Sequence, residues 1–98
     1  MDFENELQIC ELFDLYGNLL TINQQNIIRA YYYQNLSLGE IANNNNITRQ
    51  AIYDTIKKSI STLEDIESKL GLRDKYADIK KLLSKQEMED KILSILYK

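Results

Sequence analysis

Residues 37–58 decide the fold of this chain and read SLGEIANNNNITRQAIYDTIKK. Ser37 and Glu40 have the spacing of a capping box, which predicts a short helix over about residues 38–44. The four asparagines 43–46 are expected to break that helix. Asparagine is a poor helix former, and it tolerates the left-handed backbone of a tight turn.

Three positions of this stretch match a helix-turn-helix when Leu38 is taken as its first residue. Small Ala42 falls where the two helices approach closely, Asn46 where φ is positive, and Ile52 where the second helix is buried. Thr55 departs from the pattern, because its position is normally apolar. The stretch therefore predicts a helix-turn-helix, with an ordinary helical hairpin as the alternative.

The second helix of the motif is expected to begin after an N-cap at Thr48 and to end at Gly71. Along this helix, positions spaced alternately four and three residues apart are apolar, except that Ser59 stands between Ile56 and Leu63. The apolar residues are Ile52, Ile56, Leu63, Ile66 and Leu70. A coiled-coil seam is one interpretation of this spacing. We favour the other, in which a long helix packs on its own domain.

The opposite face of this helix is predicted to be presented to a nucleic-acid groove. Its polar residues are the candidate nucleic-acid-binding site: Thr48, Arg49, Gln50, Tyr53, Lys57 and Lys58. In the first turn, Arg49 suits guanine and Gln50 suits adenine. The threonine and the lysines suit phosphate oxygens, and the tyrosine suits a base stack or a phosphate.

Two features count against tight nucleic-acid binding by this face. Asp54 places a carboxylate in its middle, which repels phosphate unless it accepts a hydrogen bond from cytosine N4. Only three or four cations line the face, whereas tight duplex binders neutralise about six or more phosphates. A solvated surface or a protein contact is therefore the alternative use of this face.

The rest of the chain also indicates helices. With 98 residues, no proline, three glycines and no alternation of β-branched residues, we expect an all-α fold in a single domain, residues 1–98. A C-terminal extension over about residues 73–98 is predicted to form a helical hairpin, about Arg73–Ser84 and Gln86–Tyr97.

Two helices are predicted before the motif. The first covers about residues 3–16, with an apolar stripe of Phe3, Leu7, Cys10 and Phe13. The second begins at the capping box of Thr21 and Gln24 and buries Ile27, Ile28, Ala30 and Tyr31. The run Tyr31–Tyr33 spans about 200° of a helix, so packing is expected rather than a flat RNA-stacking platform.

The composition excludes several classes of function. The chain has no histidine and one cysteine, Cys10, which removes histidine-dependent catalysis and Cys/His zinc sites. We therefore expect no enzyme activity and no cofactor. A lone cysteine fits a reducing cytoplasm, and the lack of a long apolar run argues against a membrane segment. Cys10 itself is expected to be a small buried hydrophobe.

The charges are segregated along the chain. Residues 1–20 carry five acidic and no basic residues, whereas residues 21–62 carry a net charge of +2. The acidic first helix is therefore expected to face away from nucleic acid and to remain available for a basic protein surface. The apolar C-terminal segment, from Met88 to Tyr97, predicts a homodimer, with a helix folded back on the chain as the alternative.

Four segments resemble region 4 of bacterial sigma factors: Leu20-Thr21, Tyr31–Tyr33, Leu36–Ala42 and Ile47–Asp54. The resemblance becomes closer to the YlxM family of small bacterial helix-turn-helix proteins when three further segments are added: Ile56–Lys58, Leu63-Glu64 and Glu67–Leu72. The similarity covers roughly residues 7–85. The asparagine run and Ile22-Asn23 depart from the family, which has a more acidic turn and a more polar helix start.

The resemblance implies an all-helical cytosolic protein that takes part in, or regulates, the signal recognition particle pathway. On this basis the leading hypothesis is a helix-turn-helix accessory protein that binds nucleic acid, the particle's RNA or its GTPase. The GTPase is the basic partner that the resemblance suggests for the acidic helix. The alternatives are a transcriptional regulator of duplex DNA and a protein-interaction module that binds no nucleic acid.

Overall fold

The computed structural model describes residues 5–82 and 86–97, and within them the chain forms six α-helices and no strand. The helices are α1 (Glu6–Tyr16), α2 (Ile22–Ile28), α3 (Leu38–Asn45), α4 (Arg49–Leu70), α5 (Leu72–Leu82) and α6 (Gln86–Leu96). A 3-10 turn, Gly17–Leu19, follows α1, and a π-helical turn, Arg29–Tyr33, follows α2. The predicted all-α fold is confirmed. The predicted helix limits at Phe3 and Ser84 lie outside the described residues.

Side-chain caps set the starts of three helices, as the sequence predicts. The Thr21 hydroxyl accepts from the Gln24 N–H at 3.1 Å, and the Gln24 side chain accepts from the Thr21 N–H at 3.0 Å. Ser37 and Glu40 form the same reciprocal pair at 3.1 and 3.0 Å. At the start of α4 the cap is a single bond, in which the Thr48 hydroxyl accepts from the Ala51 N–H at 3.1 Å. Each cap stabilises its helix by about 0.5–2 kcal/mol and fixes where the helix begins.

The core is built around α4, which packs against α1, α2 and α3. Ile52, Ile56 and Leu63 are fully buried in it. Ser59, which fills the gap between them, is also buried, and its hydroxyl donates to the carbonyl one turn earlier at 2.7 Å. The apolar seam therefore packs on the chain's own core, and only its last residue, Leu70, is 49% exposed.

The buried face of α1 differs from the predicted stripe. The buried residues of this helix are Ile9, Leu12, Phe13 and Tyr16. The prediction is wrong for Leu7, which is 73% exposed, and Cys10 is only partly buried at the edge of the core. Apolar residues occur on several sides of α1, so their spacing does not define one face. The observed face carries the larger side chains, which removes more apolar surface from water.

The three tyrosines of the π-helical turn lie in different surroundings. Tyr32 is buried, Tyr31 meets its ring edge-on at 5.0 Å between centroids, and Tyr33 is exposed. Burial raises the pKa of Tyr32 to about 12. The three rings share no flat surface, as predicted. Upstream of the turn, Ile27 and Ile28 are buried as expected.

The chain leaves the core at Gly71, which ends α4 with a φ of 64°. This left-handed cap is the stop that the sequence predicts. No residue of α5 is buried, and the chain measures 49 × 25 × 25 Å along its principal axes. After α6, Tyr97 returns to a groove that Leu15 of α1 and Tyr76 of α5 also line. The two C-terminal helices of the predicted hairpin are thus present.

Candidate nucleic-acid interface

The turn between α3 and α4 has the geometry of a helix-turn-helix. Asn46 ends α3 in the left-handed conformation, with φ 55° and ψ 38°. The Ile47 N–H then donates to the Ala42 carbonyl at 3.2 Å, which closes the turn. Ala42 and Ile52 are buried where the two helices meet. All three positions that match the motif in sequence therefore have the predicted backbone or burial.

Two details of the turn differ from expectation. The asparagine run does not break α3, because the helix continues through Asn45, whose side chain donates to the Ile41 carbonyl at 2.7 Å. Only Asn46 leaves the helical region. Thr55, the polar departure from the motif, is partly buried, and its hydroxyl donates to the Ala51 carbonyl at 2.9 Å. Its polar atom is therefore satisfied within α4.

Every candidate binding residue lies at the N-cap of α4 or within its first ten residues, a segment called the start of α4 below. The exposed ones are Thr48, Arg49, Gln50, Lys57 and Lys58, and Tyr53 is partly buried. At 100° per residue, Gln50 and Lys57 lie within about 20° of each other at the centre of the exposed face. Arg49 and Lys58 lie towards its two edges. The six residues therefore span a wide, curved surface and not a narrow stripe.

The side chain of Gln50 is held by its neighbour one turn later. Its Nε2 donates to Oδ1 of Asp54 at 3.0 Å. A side-chain amide carries two hydrogens, so Gln50 keeps one donor and its carbonyl oxygen for a base. Asp54 therefore orients the glutamine besides adding negative charge. The spacing of four residues is the signal in the sequence from which this contact could have been predicted.

Arg49 lies nearer to acidic residues than the segregation of charge along the chain suggests. It lines an open groove of about 410 Å³ together with Glu6 of α1 and Glu40 of α3. Backbone and side-chain hydrogen bonds from Ser37 lower the pKa of Glu40, so its carboxylate stays charged. The expected separation of an acidic helix from a basic face is therefore incomplete at this edge.

The two other arginines make their contacts away from the candidate binding face of α4. Arg29 lies over the ring of Phe13 at 5.5 Å from its centroid, and its guanidinium donates to Gln25 at 3.4 Å. Arg73 donates to Glu11 at 2.7 Å. The acidic first helix is therefore not wholly available for a basic protein surface, because Glu11 already pairs with a base from outside residues 1–20. The cations left for a phosphate backbone at the start of α4 are the arginine and two lysines already named.

Within residues 5–82 and 86–97, no group of three or more acidic or cysteine side chains is placed to hold a metal ion. No helix in the described part of the chain is long and apolar enough to cross a membrane.

A family model described as "Putative helix-turn-helix protein, YlxM / p13 like" matches residues 3–96. A UPF0122 protein of Desulforamulus reducens is 53% identical over 72 residues, which are 74% of this chain and 62% of that relative. A UPF0122 protein of Malacoplasma penetrans is 45% identical over 89 residues, covering 91% of this chain and 82% of the relative. One of Listeria welshimeri is 44% identical over 87 residues, covering 89% and 79%.

Proposed function

Because this chain belongs to the YlxM / p13-like family of helix-turn-helix proteins, we propose that it is a regulatory protein that binds nucleic acid through the start of α4. The observation that carries the proposal is the left-handed turn at Asn46. It sets α4 across α3 and leaves the polar side chains of the first turns of α4 open to solvent. The major groove of B-form DNA, about 12 Å wide, admits an α-helix in this way.

Each side chain of the face has a role that its chemistry suggests. Arg49 can donate two hydrogen bonds to guanine, and Gln50, oriented by Asp54, can pair with adenine. Lys57 and Lys58 neutralise phosphates and position the helix. The Thr48 hydroxyl already accepts from the backbone as the cap, so its own hydrogen remains for a phosphate oxygen.

The small number of cations on the face makes this binding modest and its dependence on salt shallow. Three cations neutralise about three phosphates, which gives a slope of log affinity against log salt of about −2.7 on duplex DNA. The carboxylates of Glu6, Glu40 and Asp54 lie on or beside the same surface and oppose phosphate. Binding therefore depends on base contacts and shape as much as on charge.

We extend the proposal to the cellular role that the resemblance to YlxM proteins implies. In that role the protein acts in the cytoplasm on the signal recognition particle pathway, and the nucleic acid is the particle's RNA. The particle's GTPase is then a protein partner, for which Glu6 and Asp14 of α1 offer acidic contacts. Transcriptional regulation is the second candidate, and the exposure of Arg49 and Gln50 in the first turn of α4 favours it.

The test is binding of labelled duplex DNA and of folded particle RNA at several salt concentrations, followed by fluorescence anisotropy. We expect at least one of them to bind with a shallow salt slope. Lys57→Ala should reduce that slope by about 1. Lys69→Ala is the matched control, because it removes the same charge from the last turn of α4, where Lys69 pairs with Asp65 at 3.0 Å.

The outcomes separate the candidate functions. Preference for particular duplex sequences supports transcriptional regulation, and preference for the folded RNA supports a role in the particle pathway. If neither nucleic acid binds at low salt, or if both lysine variants bind like the parent, the interface is wrong. The start of α4 would then be a protein-contact face.

A further inference from the structure

The two C-terminal helices, α5 and α6, here called the hairpin, leave several large apolar side chains uncovered. Six of its large apolar side chains are between 44% and 82% exposed: Leu72, Ile79, Leu82, Ile95, Leu96 and Tyr97. No residue of α5 is buried. An amphipathic helix normally buries its apolar side against a neighbour, so these helices lack a partner for that side within the described chain.

The chain as a whole is more extended than a compact protein of its size. A compact protein of 11.5 kDa has an accessible surface of about 5,800 Å², whereas this chain exposes 7205 Å². Each partner contributes roughly 800 Å² to a standard interface, and the whole-chain excess of about 1,400 Å² leaves room for such a contact. The radius of gyration, 16.1 Å, also exceeds the roughly 13 Å of a compact chain of this length.

The hairpin lies beside α1, where Tyr97 lines a groove with Leu15 of α1 and Tyr76 of α5, and Tyr97 still remains 77% exposed. The Leu72 N–H at the start of α5 donates to the Tyr16 hydroxyl at 3.1 Å, and Arg73 donates to Glu11 at 2.7 Å. These bonds tie the first turn of α5 to α1. With the first turn held in this place, the six apolar side chains named above remain exposed.

The net charges of the two helices favour a second copy of the chain as the occupant. Residues 72–82 carry four basic and two acidic residues, a net charge of +2, whereas residues 86–97 carry one basic and three acidic residues, a net charge of −2. Two copies of the hairpin related by a two-fold axis can place α5 of each beside α6 of the other. Every helix of the resulting four-helix bundle then has neighbours of opposite charge.

We propose that a second copy of this chain covers the apolar side of the hairpin, in a symmetric dimer in which α5 of one copy packs beside α6 of the other. The start of α4 takes no part in this contact and stays exposed in both copies. One consequence rests on the proposed function: the dimer then presents two nucleic-acid interfaces related by symmetry. Paired half-sites are the targets that such dimers recognise.

The first test is the mass of the full chain by light scattering at micromolar concentrations, without nucleic acid. We expect twice the 11.5 kDa of one chain. Ile95→Lys should raise the dimer dissociation constant at least about tenfold, because it puts a charge in the apolar interface. Ile22→Lys is the matched control: Ile22 is also 72% exposed but lies at the start of α2, and the dimer should persist.

The second test reverses the charges of one helix at a time. Lys75→Glu with Lys81→Glu makes residues 72–82 net −2, and Glu87→Lys with Glu89→Lys makes residues 86–97 net +2. Each double variant alone should dissociate, since its α5 and the partner's α6 then carry like charges. An equimolar mixture of the two should regain the dimer mass.

Two outcomes would overturn the proposal. One is a single-chain mass for the parent throughout the concentration range. The other is a dimer that Ile95→Lys and the charge reversals leave intact while helix content by circular dichroism is unchanged. Because the mass is measured without nucleic acid, failure here is distinct from failure of the proposed nucleic-acid interface.

Discussion

The hydroxyl of Tyr16 donates to Oε1 of Glu67 at 2.6 Å and accepts from the Leu72 N–H at 3.1 Å, so one side chain of α1 joins the end of α4 to the start of α5. The Arg73 N–H donates to the same carboxylate oxygen at 3.0 Å, and the Arg73 side chain donates to Glu11 at 2.7 Å. Tyr16 is 2% exposed. Burial and its bond to Glu67 raise the pKa of the tyrosine, which keeps the hydroxyl available as a donor.

The first prediction concerns this hydroxyl. Tyr16→Phe should lower the free energy of unfolding by about 1–3 kcal/mol, because the Leu72 N–H loses its acceptor and Glu67 loses a donor, both in partly buried positions. Urea denaturation measures the loss. Tyr33→Phe is the control: that hydroxyl is exposed and makes a longer bond to Asp14, at 3.3 Å, so we expect a change within about 0.5 kcal/mol. Equal effects in the two variants would contradict the prediction.

The second prediction is a dependence of stability on pH. Burial opposes the ionisation of Glu67, but hydrogen bonds from Tyr16 and the Arg73 N–H, together with the charge of Arg73, outweigh it and lower the pKa of Glu67 below its ordinary 4.5. A carboxyl whose pKa is lower in the folded than in the unfolded state stabilises the fold fully above pH 4.5. That contribution is lost as the pH falls through the folded value.

The free energy of unfolding, measured with urea from pH 7 to pH 3, checks this expectation. Glu67→Gln should be less stable than the parent at pH 7, and the difference should shrink in acid. Glu64→Gln, an exposed substitution one turn earlier in α4, should follow the parent throughout. A constant difference between Glu67→Gln and the parent at every pH would show that the charge of Glu67 is not involved.

Local signals in the sequence predicted the helix starts and the turn of the motif correctly. A capping threonine or serine acts on backbone N–H groups two or three residues away, so its effect can be predicted from adjacent positions, as Ser37 and Thr48 show. Asn46 is similar, because only a few residue types tolerate a positive φ.

Contacts between distant residues could not be predicted in the same way. The Tyr16 and Glu67 pair is separated by 51 positions, and the Arg73 and Glu11 pair by 62. No periodicity relates residues so far apart. The face of α1 was ambiguous for a related reason, because Leu7 and Ile9 are both apolar and only packing against α4 decides which one is buried.

The third prediction concerns the backbone at the turn. Asn46→Ala should lower the free energy of unfolding by about 1 kcal/mol, since alanine is strained at a φ of 55°. Asn46→Gly should leave stability nearly unchanged, because glycine adopts this conformation freely. Asn44→Ala is the matched control within α3, where alanine is the better helix former, and it should stabilise the protein by roughly 0.5 kcal/mol. Thermal unfolding measures these changes. A higher melting temperature for Asn46→Ala than for Asn44→Ala would contradict the assigned turn.

The fourth prediction concerns the direct reading of bases. Arg49→Ala and Gln50→Ala should each cost about 1–3 kcal/mol of binding free energy on the preferred nucleic acid, because each removes a donor to a base edge. Both side chains are exposed, so the free energy of unfolding should not change. Binding isotherms and urea curves on the same samples separate the two effects. Unchanged affinity together with unchanged stability would favour a protein-interaction surface.

The last prediction separates the two actions of Asp54, its negative charge and its hydrogen bond to Gln50 at 3.0 Å. Asp54→Asn removes the charge but keeps an oxygen that can accept from Gln50, so it should tighten binding to any sequence and preserve base preference. Asp54→Ala removes both, so binding should tighten in the same way while the preference at the base read by Gln50 declines. Competition between a preferred duplex and a single-base variant of it measures the preference. If the two variants lose preference equally, Asp54 acts through its charge alone and does not orient the glutamine.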